Sequence, residues 1–130
     1  MTLYQTDVAV IGAGTAGLAA ERHAREAGAK TLLIDPAFAG TTCATVGCMP
    51  SKLLIAAADA AQAARGAERF GVRAEPRIDG PAVLQRLRAL RDDFVAGVRA
   101  SIARLPEGVC LTARARFEAP GRLVLDTGDR

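Results

Sequence analysis

The chain carries Gly12-Ala13-Gly14-Thr15-Ala16-Gly17 directly after the apolar, β-leaning run Val8-Ala9-Val10-Ile11. A G-x-G-x-x-G has modest weight alone. Its value rises when it closes a strand and opens a helix. The first glycine permits the tight turn, the second lets a pyrophosphate approach the backbone, and the third lets helix and strand pack closely. A helix starting there presents free N–H groups and a partial positive charge to an anion.

The flanking residues supply that context. Residues 15–27 read as an alanine-rich helix stopped by Gly28, and residues 31–34 as a second buried strand closed by Asp35-Pro36. Strand, helix and strand within about thirty residues form one βαβ unit, and such crossovers are right-handed and parallel. Asp35 ends the second strand. A carboxylate there can accept from ribose hydroxyls and repels a 2′-phosphate, which favours FAD or NAD.

Further on, a loop over residues 37–42 leads into a helix predicted over residues 43–65. Residues 66–80 read as a connection. Pro81 opens a long helix with an apolar stripe of Val83, Leu87, Leu90, Phe94, Val98, Ile102 and Leu105. Alternation over residues 109–117 predicts one half-buried strand, and the turn Ala119-Pro120-Gly121 joins it to an antiparallel partner at Leu123-Val124-Leu125. The expected class is α/β.

Composition excludes other classes. Half of the 130 residues are hydrophobic and 24% charged, as in a globular domain. Aromatics make up only 4% without Trp, so a base-stacking nucleic-acid platform is not expected. The net charge of +3 is scattered. No run approaches the roughly 20 apolar residues of a membrane span, and no secretory signal is visible. The cytoplasm is the expected compartment.

Cys43 and Cys48 lie in the loop that follows the βαβ unit. On one ideal helix that spacing sets the Cα atoms roughly 8 to 9 Å apart, while a disulfide needs about 4.4 to 6.8 Å. The pair can bond only if Cys43 precedes the helix or the first turn is distorted, and Thr45 and Gly47 suit such a turn. Sulfur at a helix N-terminus has its thiolate favoured. Two unrelated thiols remain an alternative. Zinc would need four ligands, and only Cys110 and His23 are left, neither beside a second pair. Cys110 is expected to be an inert thiol, and His23 to face solvent. Arg114, Arg116 and Arg122 are expected on a solvated strand face.

The segment Gly40-Thr41-Thr42-Cys43-Ala44-Thr45-Val46-Gly47-Cys48-Met49-Pro50-Ser51-Lys52, with Val10-Ile11-Gly12-Ala13-Gly14 before it, resembles the redox-active disulfide motif of the class I pyridine nucleotide–disulfide oxidoreductases. Pro50-Ser51-Lys52 resembles dihydrolipoyl dehydrogenases and mercuric reductases. The resemblance departs at Thr41 (usually Gly), Thr45 (usually Asn) and Asp35 (usually Glu), the last shortening the reach to ribose by one methylene. It implies a Rossmann-like FAD-binding domain, of which residues 1–130 form the N-terminal part, with a C-terminal antiparallel hairpin. The nicotinamide-binding domain, and a dimerisation domain bringing a His–Glu pair across the interface, would lie outside this chain.

It also implies roles. Cys43 would be the interchange thiol and Cys48 the charge-transfer thiol facing the flavin. Lys52 would lie near the isoalloxazine, Thr42 would touch the flavin or its phosphates, and Ala115 would give a backbone contact to the adenosine half. Gly12, Gly14, Gly17 and Asp35 would hold the FAD diphosphate and ribose. The implied reaction oxidises dihydrolipoamide to lipoamide through a Cys43–Cys48 disulfide and FAD, with hydride passed to NAD. Its partner would be a small dithiol or disulfide, or a lipoyl domain, and the full enzyme would be a homodimer. These 130 residues alone are not expected to turn over. The alternatives are mercuric reductase or another flavin disulfide reductase, or a non-catalytic module binding FAD or an adenine nucleotide.

Overall fold

The computed structural model describes residues 2–129. Strand β1 is Val8–Ile11, helix α1 Thr15–Glu26 and strand β2 Thr31–Asp35. Short helix α2 is Thr42–Thr45, helix α3 Cys48–Arg65, and a 3-10 turn follows over Gly66–Phe70. The long helix α4 is Gly80–Ala103, and strands β3, β4 and β5 are Cys110–Thr112, Ala115–Ala119 and Arg122–Leu125.

The chain divides into two compact units. One holds the residues through Thr41 together with those from Val98 onward, and the other is Thr42–Gly97.

In the first unit, β1 and β2 pair in parallel from Val8 against Thr31 to Ile11 against Ile34. Strand β3 joins the far side of β2, also in parallel, with Leu33 opposite Cys110 and Asp35 opposite Thr112. Residues 31–34 are all buried, as expected of a central parallel strand covered on both faces. One core cluster gathers Ala13, Leu33 and Val109, with Val10, Leu18, Phe38 and Leu105 against it. The other gathers Leu32, Ile34, Ala113 and Leu125, flanked by Leu111, Ala115 and Leu123. The sheet thus carries one cluster on each face.

Two sequence expectations change here. The strand predicted over residues 109–117 is two strands in two sheets. Arg114 donates its N–H to Asp126 Oδ1 at 2.9 Å, and its carbonyl accepts the Asp126 N–H at 3.0 Å. That pair carries the chain out of the parallel sheet and into the β4–β5 hairpin, where Ala115 faces Leu125. A register shift between Phe117 and Ala119 then ends the alternation, and Phe117 stands 73% exposed. Arg114, Arg116 and Arg122 are exposed as anticipated.

In the second unit, the helix predicted over residues 43–65 is broken at Val46-Gly47 into α2 and α3. The connection predicted over residues 66–80 contains the 3-10 turn. Within it, Ala61 of α3 is buried and lines a shallow cavity with Ile78 and Val83. The stripe on α4 is only half covered: Val83 and Leu87 are half-buried, but Leu90 is 40% and Phe94 47% exposed. Among the described residues no helix is long and apolar enough to cross a membrane, and no group of three or more His, Cys, Asp and Glu could hold a metal.

Candidate functional site

The first unit places the three glycines of the motif around the start of α1. Gly12 leaves β1 at φ +97°, a region that favours glycine, and donates its N–H to Ile34 O at 2.7 Å. Gly14 caps α1 in extended conformation with no side-chain hydrogen bond, and no acidic residue occupies the first turn. A Cβ at Gly14 would meet nothing within 4 Å, so the position faces open space. A Cβ at Gly17 would run into the carbonyl oxygen of Gly12 and approach Val10 Cγ1 to 3.3 Å. The three glycines therefore answer to three different constraints: a turn, an open approach, and helix–strand contact. The uncapped N-terminus of a 12-residue helix beside that opening suits a phosphate.

Asp35 sits where β2 ends, at the carboxyl edge of the sheet, the side on which ligands bind open parallel sheets. Its Oδ2 accepts the N–H of Ala13 at 2.9 Å, which ties it to the glycine turn. Its Oδ1 accepts the N–H groups of Ala37 at 2.9 Å and Phe38 at 2.7 Å. Burial raises the carboxyl's pKa, but the three backbone donors together outweigh it and hold the group below its ordinary 3.8. Phe38 adopts a left-handed backbone at φ +46°, unusual for a bulky residue. A groove lined by Ala37, Phe38, Leu105, Gly108, Cys110 and Thr112 opens beside this loop. Ala115 is half-buried at the start of β4, opposite Leu125.

The second unit builds a cysteine turn. Thr42 O accepts the N–H groups of Val46 at 3.1 Å and Gly47 at 2.8 Å, so the chain doubles back before α3 begins at Cys48. Gly47 eases that return: a Cβ there would lie 3.0 Å from Thr42 O, tighter than an ordinary contact, and 3.5 Å from Cys43 Cα. Cys43 therefore lies outside the helix that Cys48 opens, the arrangement the spacing required of a bonding pair.

Both cysteines are thiols, Cys43 half-buried and Cys48 exposed. The Cys43 thiol is pushed up from 9.0, first by its hydrogen bond with the Cys48 side chain, then by desolvation and the charge of Cys48. A backbone hydrogen bond from Cys48 and the charge of Lys52 pull the other way. The fold thus brings Cys43 and Cys48 together, with Lys52 one helical turn beyond Cys48 and exposed. Ser51 fixes the first turn of α3, its N–H reaching Gly47 O at 3.2 Å and its hydroxyl Cys48 O at 3.0 Å. Thr42 is exposed and opens α2.

Two further candidates belong to the first unit. Cys110 is exposed in β3, its thiol pushed up by desolvation and by the charge of Glu21. His23 is on the outer face of α1, 3.7 Å from Glu26 Oε2. Sequence reasoning missed the Ala13, Ala37 and Phe38 amides as partners of Asp35. The Asp35-Pro36 pair was the available signal, since Asp before a turn commonly accepts from backbone N–H groups two and three residues on.

Residues 6–117 match the family described as pyridine nucleotide-disulphide oxidoreductase. The chain belongs to that family. It is 37% identical over 117 residues to a dihydrolipoyl dehydrogenase of Thermus scotoductus, covering 88% of this chain and 24% of that protein. It is 41% identical over 96 residues to a mercuric reductase of Streptomyces lividans, covering 72% of this chain and 19% of the relative. The chain thus spans about a quarter or less of the curated relatives it matches. Among solved structures it resembles the HOCl-induced flavoprotein disulfide reductase RclA from Escherichia coli in its Cu(II) complex. There the TM-score is 0.66 at 23% identity, covering 92% of this chain and 24% of that one, a likeness of fold. The α/β, Rossmann-like class expected from the sequence holds, with its parallel βαβ start and C-terminal antiparallel hairpin.

Proposed function

We propose that this family member supplies the FAD-binding and disulfide-bearing part of a flavin disulfide oxidoreductase that oxidises dihydrolipoamide to lipoamide. One observation carries the reading: the Thr42–Gly47 turn sets Cys43 against Cys48 at the start of α3. The fit of the cradle to FAD rests on the open approach at Gly14, the uncapped start of α1, and the Asp35 carboxylate beside the turn.

In the oxidised pair, a substrate thiolate attacks Cys43 Sγ. The Cys43–Cys48 bond breaks, a mixed disulfide forms, and Cys48 leaves as thiolate. The second substrate thiol, deprotonated, attacks the substrate sulfur joined to Cys43. The lipoamide ring closes and Cys43 departs with the electron pair. The substrate loses two electrons and two protons, and the cysteine pair gains the electrons.

Bound FAD would supply the two-electron acceptor that regenerates the disulfide and passes hydride to NAD. The α1 N-terminus would hold its diphosphate and Asp35 its ribose. The groove of Phe38 and Thr112 would receive the adenine, near the backbone of Ala115. Thr42 and Lys52 would lie against the flavin end. On this reading residues 1–130 are the N-terminal part of the FAD domain, with nicotinamide-binding and dimerisation domains outside them. The enzyme works in the cytoplasm as a homodimer whose partner is a lipoyl group.

The test is dihydrolipoamide-dependent NAD reduction by the complete protein, alongside Cys48→Ser. Turnover is expected in the former, with a loss of at least about 10³-fold in the latter. Full activity in Cys48→Ser overturns the assignment. The 41% identity to a mercuric reductase supports a second reading, Hg(II) reduction. A protein that consumes reduced nicotinamide cofactor with Hg(II) but ignores lipoamide favours it.

A further inference from the structure

We propose that Asp35 reads one ribose hydroxyl of a bound adenine nucleotide and not the pair, because its other acceptor positions are taken by the backbone. This rests on the nucleotide-binding reading above and narrows its specificity.

An ionised carboxylate offers about four acceptor positions, two on each oxygen. Oδ1 accepts from Ala37 at 2.9 Å and Phe38 at 2.7 Å, which fills it. Oδ2 accepts from Ala13 at 2.9 Å and keeps one position. The vicinal diol of a ribose presents two donors, so one finds a carboxylate oxygen and the other must look elsewhere.

The carboxylate is not readily freed to take both. The Oδ1 bonds close the turn in which Phe38 is held at φ +46°, and Phe38 packs against the cluster of Ala13, Leu33 and Val109. Releasing Oδ1 would give up two backbone hydrogen bonds, the one from Phe38 part-buried, and loosen a residue with left-handed backbone from its packing. Releasing Oδ2 would free the second residue of the phosphate turn. Asp35 is thus a specificity-determining residue that also positions the turn. An aspartate short enough to grip its own loop trades away the two-oxygen grip on the diol.

The test needs no variant. The nucleotide-free protein is titrated calorimetrically with ADP, 2′-deoxy-ADP and 3′-deoxy-ADP at one salt concentration. One deoxy analogue is expected within about twofold of ADP, and the other weakened by roughly tenfold or more, the loss of a single charge-assisted hydrogen bond. Comparable weakening of both analogues means the diol is read by both oxygens and overturns the inference. Equal affinity for all three means Asp35 touches neither hydroxyl and overturns it as well. If ADP itself fails to bind, the nucleotide reading falls and takes this inference with it. If ADP binds and the analogues behave alike, only the inference falls.

Discussion

Glu21 Oε1 accepts the Thr31 hydroxyl at 3.0 Å in the buried seam between α1 and β2, while Arg25 Nε donates to the same oxygen at 2.8 Å. The glutamate is 1% exposed, and its Oε2 has no hydrogen-bond partner among the described residues. A buried carboxylate held by one hydroxyl and one half-exposed guanidinium ties α1, the helix that follows the glycine turn, to β2. Glu21→Ala strands the Thr31 hydroxyl and empties the seam. It is expected to lower unfolding stability by about 2 to 3 kcal/mol, read as a shift of the urea midpoint at constant m. Glu21→Gln keeps an acceptor for Thr31 and is expected to lose less. Equal losses in the two variants would show that the acceptor contributes nothing.

Gly14 and Gly17 separate function from packing. Gly17→Ala drives a methyl into the Gly12 carbonyl and is expected to cost about 2 to 4 kcal/mol of stability. At Gly14 the backbone has φ −74°, and a methyl there would find nothing within 4 Å, so Gly14→Ala is expected to fold within about 0.5 kcal/mol of the parent. Its adenine-nucleotide affinity should nevertheless fall, because the methyl occupies the approach to the turn. Thermal unfolding with calorimetric titration measures both.

The Asp35 carboxyl has a folded pKa below its ordinary 3.8. A depressed carboxyl contributes stability that is present above the unfolded value and lost as pH falls through the folded one. The gap in stability between the parent and Asp35→Asn is therefore expected to be full at pH 6 and to shrink below about pH 4. Denaturant titrations at several pH values check this. A gap independent of pH would refute the charge-based account of the grip on Ala13, Ala37 and Phe38.

The sequence already displayed the βαβ unit and the glycine roles, since both follow from short-range rules: an apolar run, a turn needing positive φ at Gly12, a helix stopped by Gly28. The paired thiols were half legible. Spacing excluded one regular helix through both cysteines, but only the fold shows the Thr42 carbonyl closing the return. What escaped was non-local. The exit of the chain at Arg114 is set by Asp126, 12 residues away, and no local alternation records that partner. The grip on Asp35 includes Ala13, 22 residues upstream. The stripe on α4 was read with the right period, yet period does not say how much of it a neighbour covers. Leu90 and Phe94 remain largely in the open.

Cys43 titrates above its ordinary value chiefly because Cys48 shares a hydrogen bond with it. Cys48→Ala removes that partner, so a larger thiolate fraction of Cys43 is expected at any pH between about 7 and 9. Iodoacetamide should then label Cys43 faster than in the reduced parent, followed by peptide mass spectrometry across pH. Lys52→Ala, which removes a charge favouring the thiolate, should move the rate the opposite way. Unchanged labelling in Cys48→Ala would separate the two sulfurs.

Gly47→Ala tests the return itself. A methyl 3.0 Å from Thr42 O crowds the turn, and the carbonyl must give by a few tenths of an ångström. Closure of the Cys43–Cys48 bond by diamide is expected to slow by about threefold, the effect of a misplacement well below 1 Å on reacting groups. Stopped-flow quenching and thiol counting give the rate.

The return from Thr42 to Gly47 is closed by two amides on one carbonyl within six residues of chain. A covalent link across so small a ring removes less freedom from the unfolded polypeptide than a longer one would, about 2 kcal/mol against roughly 3 for a 15-residue loop. Making or breaking it therefore shifts stability less than a cross-link between distant segments would. A bond confined to so short a return suits a link that is made and broken, where a staple joining distant segments would not.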